Sequence, residues 1–260
     1  MSVKLIKRLL IGTAVAVFWI GVWWLIALYV NKELLVPTPY RVLQACGDIL
    51  RSDTFWHTVG ASLQRIVYGF LAAVAVGTVL AVLTVKLPPI KMLFAPLLHL
   101  VRAAPVASFI ILTMVWIVTD RVPTFISFLM VLPIVWVNME EGFRRIDPQL
   151  KEMAVVYRLG PWRTLTKVTL PSVMPFFLTA CTNGLGFAWK SGVAAEVICR
   201  PEFSIGNKLY EAKTYLEMPE MFAWTAVVVL LSILLEQLLL RLTKRLTPAY
   251  RKEGAHADTE

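Results

Sequence analysis

The chain has 260 residues, of which 58% are hydrophobic and only 17% are charged, and its formal net charge is +9. A soluble domain has about 45–50% apolar and about 25% charged residues, and a chain of this size could not bury so much apolar surface in one soluble core. The composition therefore excludes an ordinary soluble enzyme and predicts a protein whose solvent is lipid.

Six apolar segments are candidates for membrane spans. A bilayer core about 30 Å thick needs about 20 apolar residues as a helix, and the first run, from Leu9 to Val30, contains no charged residue. Its aromatic residues lie mainly in the second half, as is typical of anchoring at a membrane interface. Within a single transmembrane domain over residues 1–260, we predict spans at about 9–30, 59–85, 106–118, 122–142, 173–198 and 222–242.

The third candidate region is interrupted. Pro96, Arg102 and Pro105 lie within the apolar stretch 90–118. Proline inside a helix removes a hydrogen bond and clashes with the preceding turn. We therefore expect a short helix, a break, and then the span 106–118.

An even number of spans places both termini on the same side of the membrane. Most of the 26 Lys and Arg residues fall at the N-terminus, in the 143–172 loop and in the C-terminal part of the chain. Because cytoplasmic loops are enriched in Lys and Arg, we expect a multi-pass protein of the cytoplasmic (inner) cell membrane with both termini in the cytoplasm. The polar tail, 248–260, is expected to be disordered.

The remaining composition predicts few other partners. The positive charge is explained by membrane loops, and no interleaving of basic and aromatic residues indicates a nucleic-acid module. The three cysteines have no CxxC spacing and no nearby histidine, which is the pattern that would indicate a metal or redox site. We expect no nucleic acid, no metal and no cofactor.

The 143–172 loop is too long and too patterned for a simple connection. Asp147-Pro148 is a helix-start signal, with Asp as the N-cap and Pro in the first turn. Gly160-Pro161 ends that helix, and a second helix is predicted over residues 162–170, before Pro171. We therefore predict a helix-turn-helix that lies across one face of the membrane.

The same loop carries residues that resemble a known family, which has a Glu-Ala-Ala, then a glycine, then a Leu-Pro pair. The residues at these positions are Glu152, Ala154, Arg158, Gly160, Leu170 and Pro171. Arg158 occupies the usual glycine position, and Gly160 follows two residues later. The chain resembles, over residues 35–246, the permease subunits of binding-protein-dependent ABC importers of the nitrate/sulfonate/taurine type.

This resemblance implies a fold and a set of partners. It implies an all-α polytopic membrane protein with six transmembrane helices and the type I ABC importer (MetI-like) fold. The loop would hold a coupling helix that docks on an ABC ATPase subunit dimer, and the six loop residues would be the coupling residues. A second permease copy, forming a homodimer, and an extracytoplasmic solute-binding protein would complete the importer.

The chain is not expected to be an enzyme. It contains no Gly-x-x-x-x-Gly-Lys-Ser/Thr phosphate loop, the pattern that binds nucleotide phosphates. ATP hydrolysis is therefore expected in the separate ATPase subunit.

Two alternatives stay open. The loop helix could lie on lipid headgroups through its basic residues. The chain could also be an ATP-independent secondary transporter or channel, although such proteins are often built from internal repeats and no convincing repeat relates residues 1–130 to 131–260.

Ionisable groups within predicted spans are candidates for the solute pathway, because such groups usually face a bundle interior or water. Lys190 lies near the middle of the fifth span, beside Thr182 and Asn183. If it faces the pathway, it favours a small anion such as a sulfonate, taurine or nitrate; the alternative is a lysine satisfied by another helix or by snorkelling. Glu196, near the outer end, is a candidate for solute contact or for a structural hydrogen bond.

Two arginines also lie within or beside the spans. Arg65 and Arg102 are close to the ends of their segments, where long cationic side chains reach headgroups or loop carbonyls at little cost. We expect Arg102 to mark the structural break in the third region.

Overall fold

The computed structural model describes the backbone of residues 3–246 and the side chains of residues 11–243. The tail that was predicted to be disordered, 248–260, lies outside the described residues. All regular elements in the described part are helical, which confirms the predicted all-α class. The α-helices are α1 (Val3–Val30), α2 (Pro39–Arg51), α3 (Phe55–Lys86), α4 (Pro88–Ala103), α5 (Val106–Thr113), α6 (Val122–Arg144), α7 (Pro148–Val156), α8 (Pro161–Thr164), α9 (Leu170–Cys199), α10 (Ile205–Thr214) and α11 (Met218–Leu246).

Five helical segments in the described part are long and apolar enough to cross a membrane. They contain α1, α3, α6, α9 and α11. A sixth crossing requires α4 and α5 together, which meet at an angle of 106°. The break at Pro105 is as predicted, because a proline there cannot continue the helix.

The third span is shorter than predicted. Its second helix, expected over 106–118, ends at Thr113. The amides of Val115 and Trp116 bond to carbonyls only three residues back, at Leu112 and Thr113. This tighter winding is typical of a helix terminus, and the chain then turns towards α6.

Three helices form the centre of the bundle, with α6 packed between α3 and α9. The helices approach so closely that glycine is required at the contacts. A Cβ atom on Gly69 of α3 would meet the Thr124 carbonyl oxygen of α6, and one on Gly192 of α9 would lie 2.6 Å from the Ser127 hydroxyl of α6. Small residues allow this approach between helices in lipid.

The contacts also fix the helix directions. Gly69 and Gly77 of α3 face progressively later residues of α6, whereas successive residues of α9 face progressively earlier ones. Helices α3 and α6 are therefore parallel, and α9 runs antiparallel to both. We call the end of the bundle at which α6 ends and α9 begins the loop end.

The predicted break at Leu170-Pro171 is wrong. Helix α8 continues through a π-helical turn, Leu165–Thr169, directly into α9. Proline has no amide to donate, but Pro171 comes just after the π-helical turn. The Leu170 amide bonds five residues back, to the Leu165 carbonyl, so the wider turn absorbs the irregularity and the helix continues.

Candidate functional site

A stripe of exposed residues runs along α9, on the side turned away from α3. Thr179, Asn183, Phe187 and Lys190 are exposed and spaced three or four residues apart, which places them on one helix face. Lys190 forms no ion pair or hydrogen bond with any residue whose side chain the structure describes. We call these four residues the polar stripe.

Thr182 does not belong to this stripe. It is only partly exposed, and its hydroxyl donates a 2.9 Å hydrogen bond to the Leu178 carbonyl of its own helix. Of the predicted pathway residues, Asn183 and Lys190 are therefore brought together, and Thr182 lies beside them.

A cavity of about 320 Å³ adjoins the polar stripe. It lies between the α4–α5 break, α6 and α9, and the residues that line it include Arg102, Ala104, Pro133, Asn138 and Phe187. Pro133 is at the centre of α6, and Phe187 is near the centre of α9. The cavity therefore sits at mid-depth in the bundle. Arg102 lies in the last turn of α4, at the break as expected, and it lines this central cavity because the chain breaks partway through the third span.

Glu196 lies in a closed polar network at the other end of the bundle. Its carboxylate is fully buried. It accepts a 2.8 Å hydrogen bond from the Ser62 hydroxyl and a 3.2 Å bond from the Gly206 amide. Arg65 is 3.7 Å away across an ion pair. The structure thus assigns Glu196 a structural hydrogen-bonding position and does not place it with Lys190 on the polar stripe.

Arg65 completes this network. Its guanidinium donates to the carbonyls of Glu202 and Phe203, at 2.9 and 3.1 Å, and to the Asp120 carboxylate. The expectation that Arg65 reaches loop carbonyls is confirmed. The network links α3, α9, the turn just before α6, and the segment that leads into the first turn of α10.

At the loop end, α7 begins as predicted. Asp147 is the N-cap, and its side chain accepts a 2.8 Å hydrogen bond from the Gln149 amide, with Pro148 at the first helical position. The helix ends at Val156, three residues before the Leu159 that precedes the predicted Gly-Pro break.

Arg158 adopts the conformation that favours glycine. Its φ is +49°, and its amide bonds to the Val155 carbonyl while the next amide, of Leu159, bonds to the Ala154 carbonyl. This pair of bonds is the Schellman motif, in which the left-handed residue is usually glycine. The turn that the family glycine would form is therefore made here by an arginine, and Gly160 has an ordinary negative φ.

The outer surface of the loop end is unusually apolar for a water-facing helix. Glu152 is exposed there, and the side chains of Val155, Val156, Tyr157 and Trp162 are each about three-quarters exposed. We call these five residues the docking surface. Ala154 was expected to allow close approach of a partner, but it is buried and faces the protein's own interior. Leu170 and Pro171 are exposed on the continuous helix.

No group of three or more His, Cys, Asp and Glu residues that could hold a metal ion occurs in the described part of the chain.

The described part of the chain is a bundle of apolar helices with a broken span, a central cavity, a polar stripe and a patterned helical loop. These features define an integral-membrane transport subunit. The particular family is given by comparison: residues 73–252 match the family of binding-protein-dependent transport system inner membrane components. The chain belongs to this family, and it is a permease component of an ABC transport system of the inner membrane.

Individual relatives agree with this assignment. The chain is 28% identical over 236 residues to the taurine transport system permease protein TauC of Escherichia coli K12, covering 87% of this chain and 85% of the relative. It is 25% identical over 207 residues to the putative aliphatic sulfonates transport permease protein SsuC of Bacillus subtilis 168, covering 78% and 74%. A crystal structure of an amino acid ABC transporter with histidines has the same fold, with a TM-score of 0.58 at 17% identity over 71% of this chain and 90% of that one.

Proposed function

We propose that this permease pairs with a second copy of itself and forms the pathway of an ATP-driven importer for a small anion. The observation that carries this proposal is the polar stripe, at one end of which Lys190 is exposed and unpaired among the described side chains. An ionised lysine at mid-depth costs several kcal/mol against lipid and usually faces a bundle interior or a water-filled path. A second copy across the stripe would shield it from lipid and leave an aqueous pathway.

The docking surface supports an ATPase subunit dimer as the partner at the loop end. Exposed Val, Tyr and Trp side chains near Glu152 are typical of a protein interface. Lys151, Arg158 and Arg163 are also exposed beside them, so a helix that binds lipid headgroups is the alternative that the Glu152 experiment tests. In this proposal the loop end and both termini are cytoplasmic, and an extracytoplasmic binding protein delivers the solute to the opposite end. ATP hydrolysis belongs to the partner.

The solute that we propose is a sulfonate such as taurine, or a smaller anion such as nitrate. Relatives named for taurine and aliphatic sulfonates support this class. Lys190 supports it independently, because a cation in the pathway favours negatively charged solutes through Coulomb attraction.

The alternative of an ATP-independent transporter receives less support. Such folds pair two broken helices in corresponding halves, and only one broken span occurs among the described residues.

The first experiment measures ATP-driven taurine uptake into proteoliposomes that contain the permease, its ATPase subunit and its binding protein. Charge reversal in the variant Glu152→Lys is expected to lower uptake at least about tenfold, because it opposes a charged contact across the docking surface. Glu152→Gln is the matched control, with a milder loss. Unchanged uptake in Glu152→Lys would contradict docking through this helix.

The second experiment tests the stripe in the same proteoliposomes. Lys190→Gln is expected to raise the KM for taurine about tenfold, because one charge contact in the pathway is lost. Lys32→Gln, which removes an exposed lysine beyond the end of α1, should leave KM unchanged. Equal KM values for all three proteins would remove Lys190 from the pathway.

A further inference from the structure

Arg102 is a second cation at mid-depth that no acidic residue neutralises. It lies on the last turn of α4 and lines the central cavity of about 320 Å³. It also lines an adjoining cavity of about 230 Å³ towards the loop end. Within the described side chains, Arg102 forms no ion pair.

The two acidic residues that line the adjoining cavity, Glu140 and Glu141, already have other partners. Glu140 accepts from Lys91 at 2.5 Å and from Arg144 at 2.8 Å. Glu141 is bound by Arg145 at 2.6 Å. The other titratable group of the adjoining cavity is His99, which cannot carry negative charge. The positive charge of Arg102 is therefore available to a ligand.

Asn138 faces the same central cavity from α6. One N–H of its amide donates to the Ile134 carbonyl at 2.8 Å, so the side chain is held in position. The second N–H and the oxygen of the amide remain available, since an Asn side chain has two donors. A fixed amide donor beside an uncompensated guanidinium is a suitable arrangement for an oxyanion.

We propose that Arg102 and Asn138 form a binding site for a small oxyanion, a sulfonate or carboxylate, halfway along the pathway. This inference rests on the proposed function and adds a selectivity site at the α4–α5 break, separate from Lys190. The guanidinium presents its N–H groups in a planar fork that matches oxyanion geometry. The broken span is what brings that fork to the centre of the bundle.

The test requires neither ATP hydrolysis nor a known solute. Val137→Cys places a thiol on the wall shared by both cavities. Membrane vesicles that contain the full-length chain are treated with an anionic or a cationic methanethiosulfonate reagent, and modification of position 137 is measured by peptide mass spectrometry. Mass spectrometry of the peptide distinguishes modification at position 137 from modification of the native cysteines. Ile134→Cys is a second probe position in case the first variant does not fold.

With Arg102 present, the anionic reagent should modify position 137 at least about tenfold faster than the cationic reagent, after each rate is divided by that reagent's rate with a free thiol. One unscreened charge a few ångströms away changes the ratio of the two rates by about this factor. Adding Arg102→Gln should abolish the preference, and adding Arg51→Gln, on exposed α2, should leave it intact. Methanesulfonate should slow modification when Arg102 is present and should have no effect in Arg102→Gln.

Three outcomes would overturn the proposal. They are absence of modification at both probe positions, a charge preference that survives Arg102→Gln, and a preference that methanesulfonate does not reduce. The last result would show that the site does not bind a soluble oxyanion. Unchanged ATP-driven uptake in Glu152→Lys would instead contradict the importer proposal, so the two failures are distinguishable.

Discussion

Replacing Ser62 by alanine should destabilise the bundle more than its size suggests. The Ser62 hydroxyl is fully buried and has two partners in different elements. It donates to Glu196 at 2.8 Å and accepts from the Ile205 amide at 2.9 Å. Since Ile205 is the first residue of α10, its amide has no partner within that helix.

The magnitude follows from counting the groups that lose their partners. In Ser62→Ala, the Ile205 amide is left without its buried partner, and the Glu196 oxygen loses one of its two hydrogen bonds and keeps the one from the Gly206 amide. An unpaired buried group costs about 1–3 kcal/mol, and a hydrogen bond to a charged group contributes about 1.5–3 kcal/mol. We expect the free energy of unfolding to fall by about 3 kcal/mol. Ser127 is an equally buried serine on α6, but its hydroxyl donates only to the Ala188 carbonyl at 3.2 Å. That carbonyl also accepts from its own helix, so Ser127→Ala should cost about 1 kcal/mol.

The measurement is equilibrium unfolding of both variants in mixed micelles by titration with a denaturing detergent, with helicity as the signal. The wild-type permease and Ser62→Thr, which keeps the hydroxyl, are measured alongside. If Ser62→Ala and Ser127→Ala lower the free energy of unfolding equally, the reasoning is refuted, because the hydrogen bonds of Ser62 to the Glu196 network would then add nothing to stability.

Two further substitutions test the backbone. Arg158→Gly should raise the free energy of unfolding by about 0.5–1 kcal/mol, because the left-handed conformation strains a residue with a side chain. The measurement is hydrogen exchange of the Leu159 amide, which should become slower in this variant. Faster exchange would contradict the prediction. Gly69→Ala should sharply reduce the yield of folded permease, because its Cβ would meet the Thr124 carbonyl, whereas Gly60→Ala, which meets nothing within 4 Å on the same helix, should be harmless. Similar yields of the two variants by size-exclusion chromatography would show that α3 and α6 separate easily.

Much of the bundle could be predicted from the sequence because apolar length and proline position act locally. The runs that became α1 and α3, the break at Pro105 and the cap at Asp147 depend on residues adjacent in the chain. Two helices outside the predicted spans, α2 and α10, also had local signals, since Thr38 before Pro39 and Ser204 before Ile205 are N-caps. Helices α2 and α10 are too short to be found by a search for membrane spans.

The rest depended on contacts distant in sequence. Ser62 and Glu196 are 134 residues apart, so no spacing rule could pair them. The sequence around Ala154 does not determine whether its side chain faces a partner or the protein's own interior. The depth of Arg102 depended on how the two halves of the broken span pack against α6. The continuation of helix through Pro171 required the π-helical turn, for which the sequence carries no simple signal.

The uninterrupted helix from Pro161 to Cys199 has a mechanical consequence. With 39 residues and a rise of about 1.5 Å per residue, it is a rod on the order of 55 Å long. One end adjoins the docking surface, and the other is clamped by Glu196 to its neighbours. If the helix tilts by about 10° around the end that Glu196 holds, the loop end moves by roughly 10 Å. A displacement of the loop end would therefore be transmitted towards Lys190 along one continuous helical backbone.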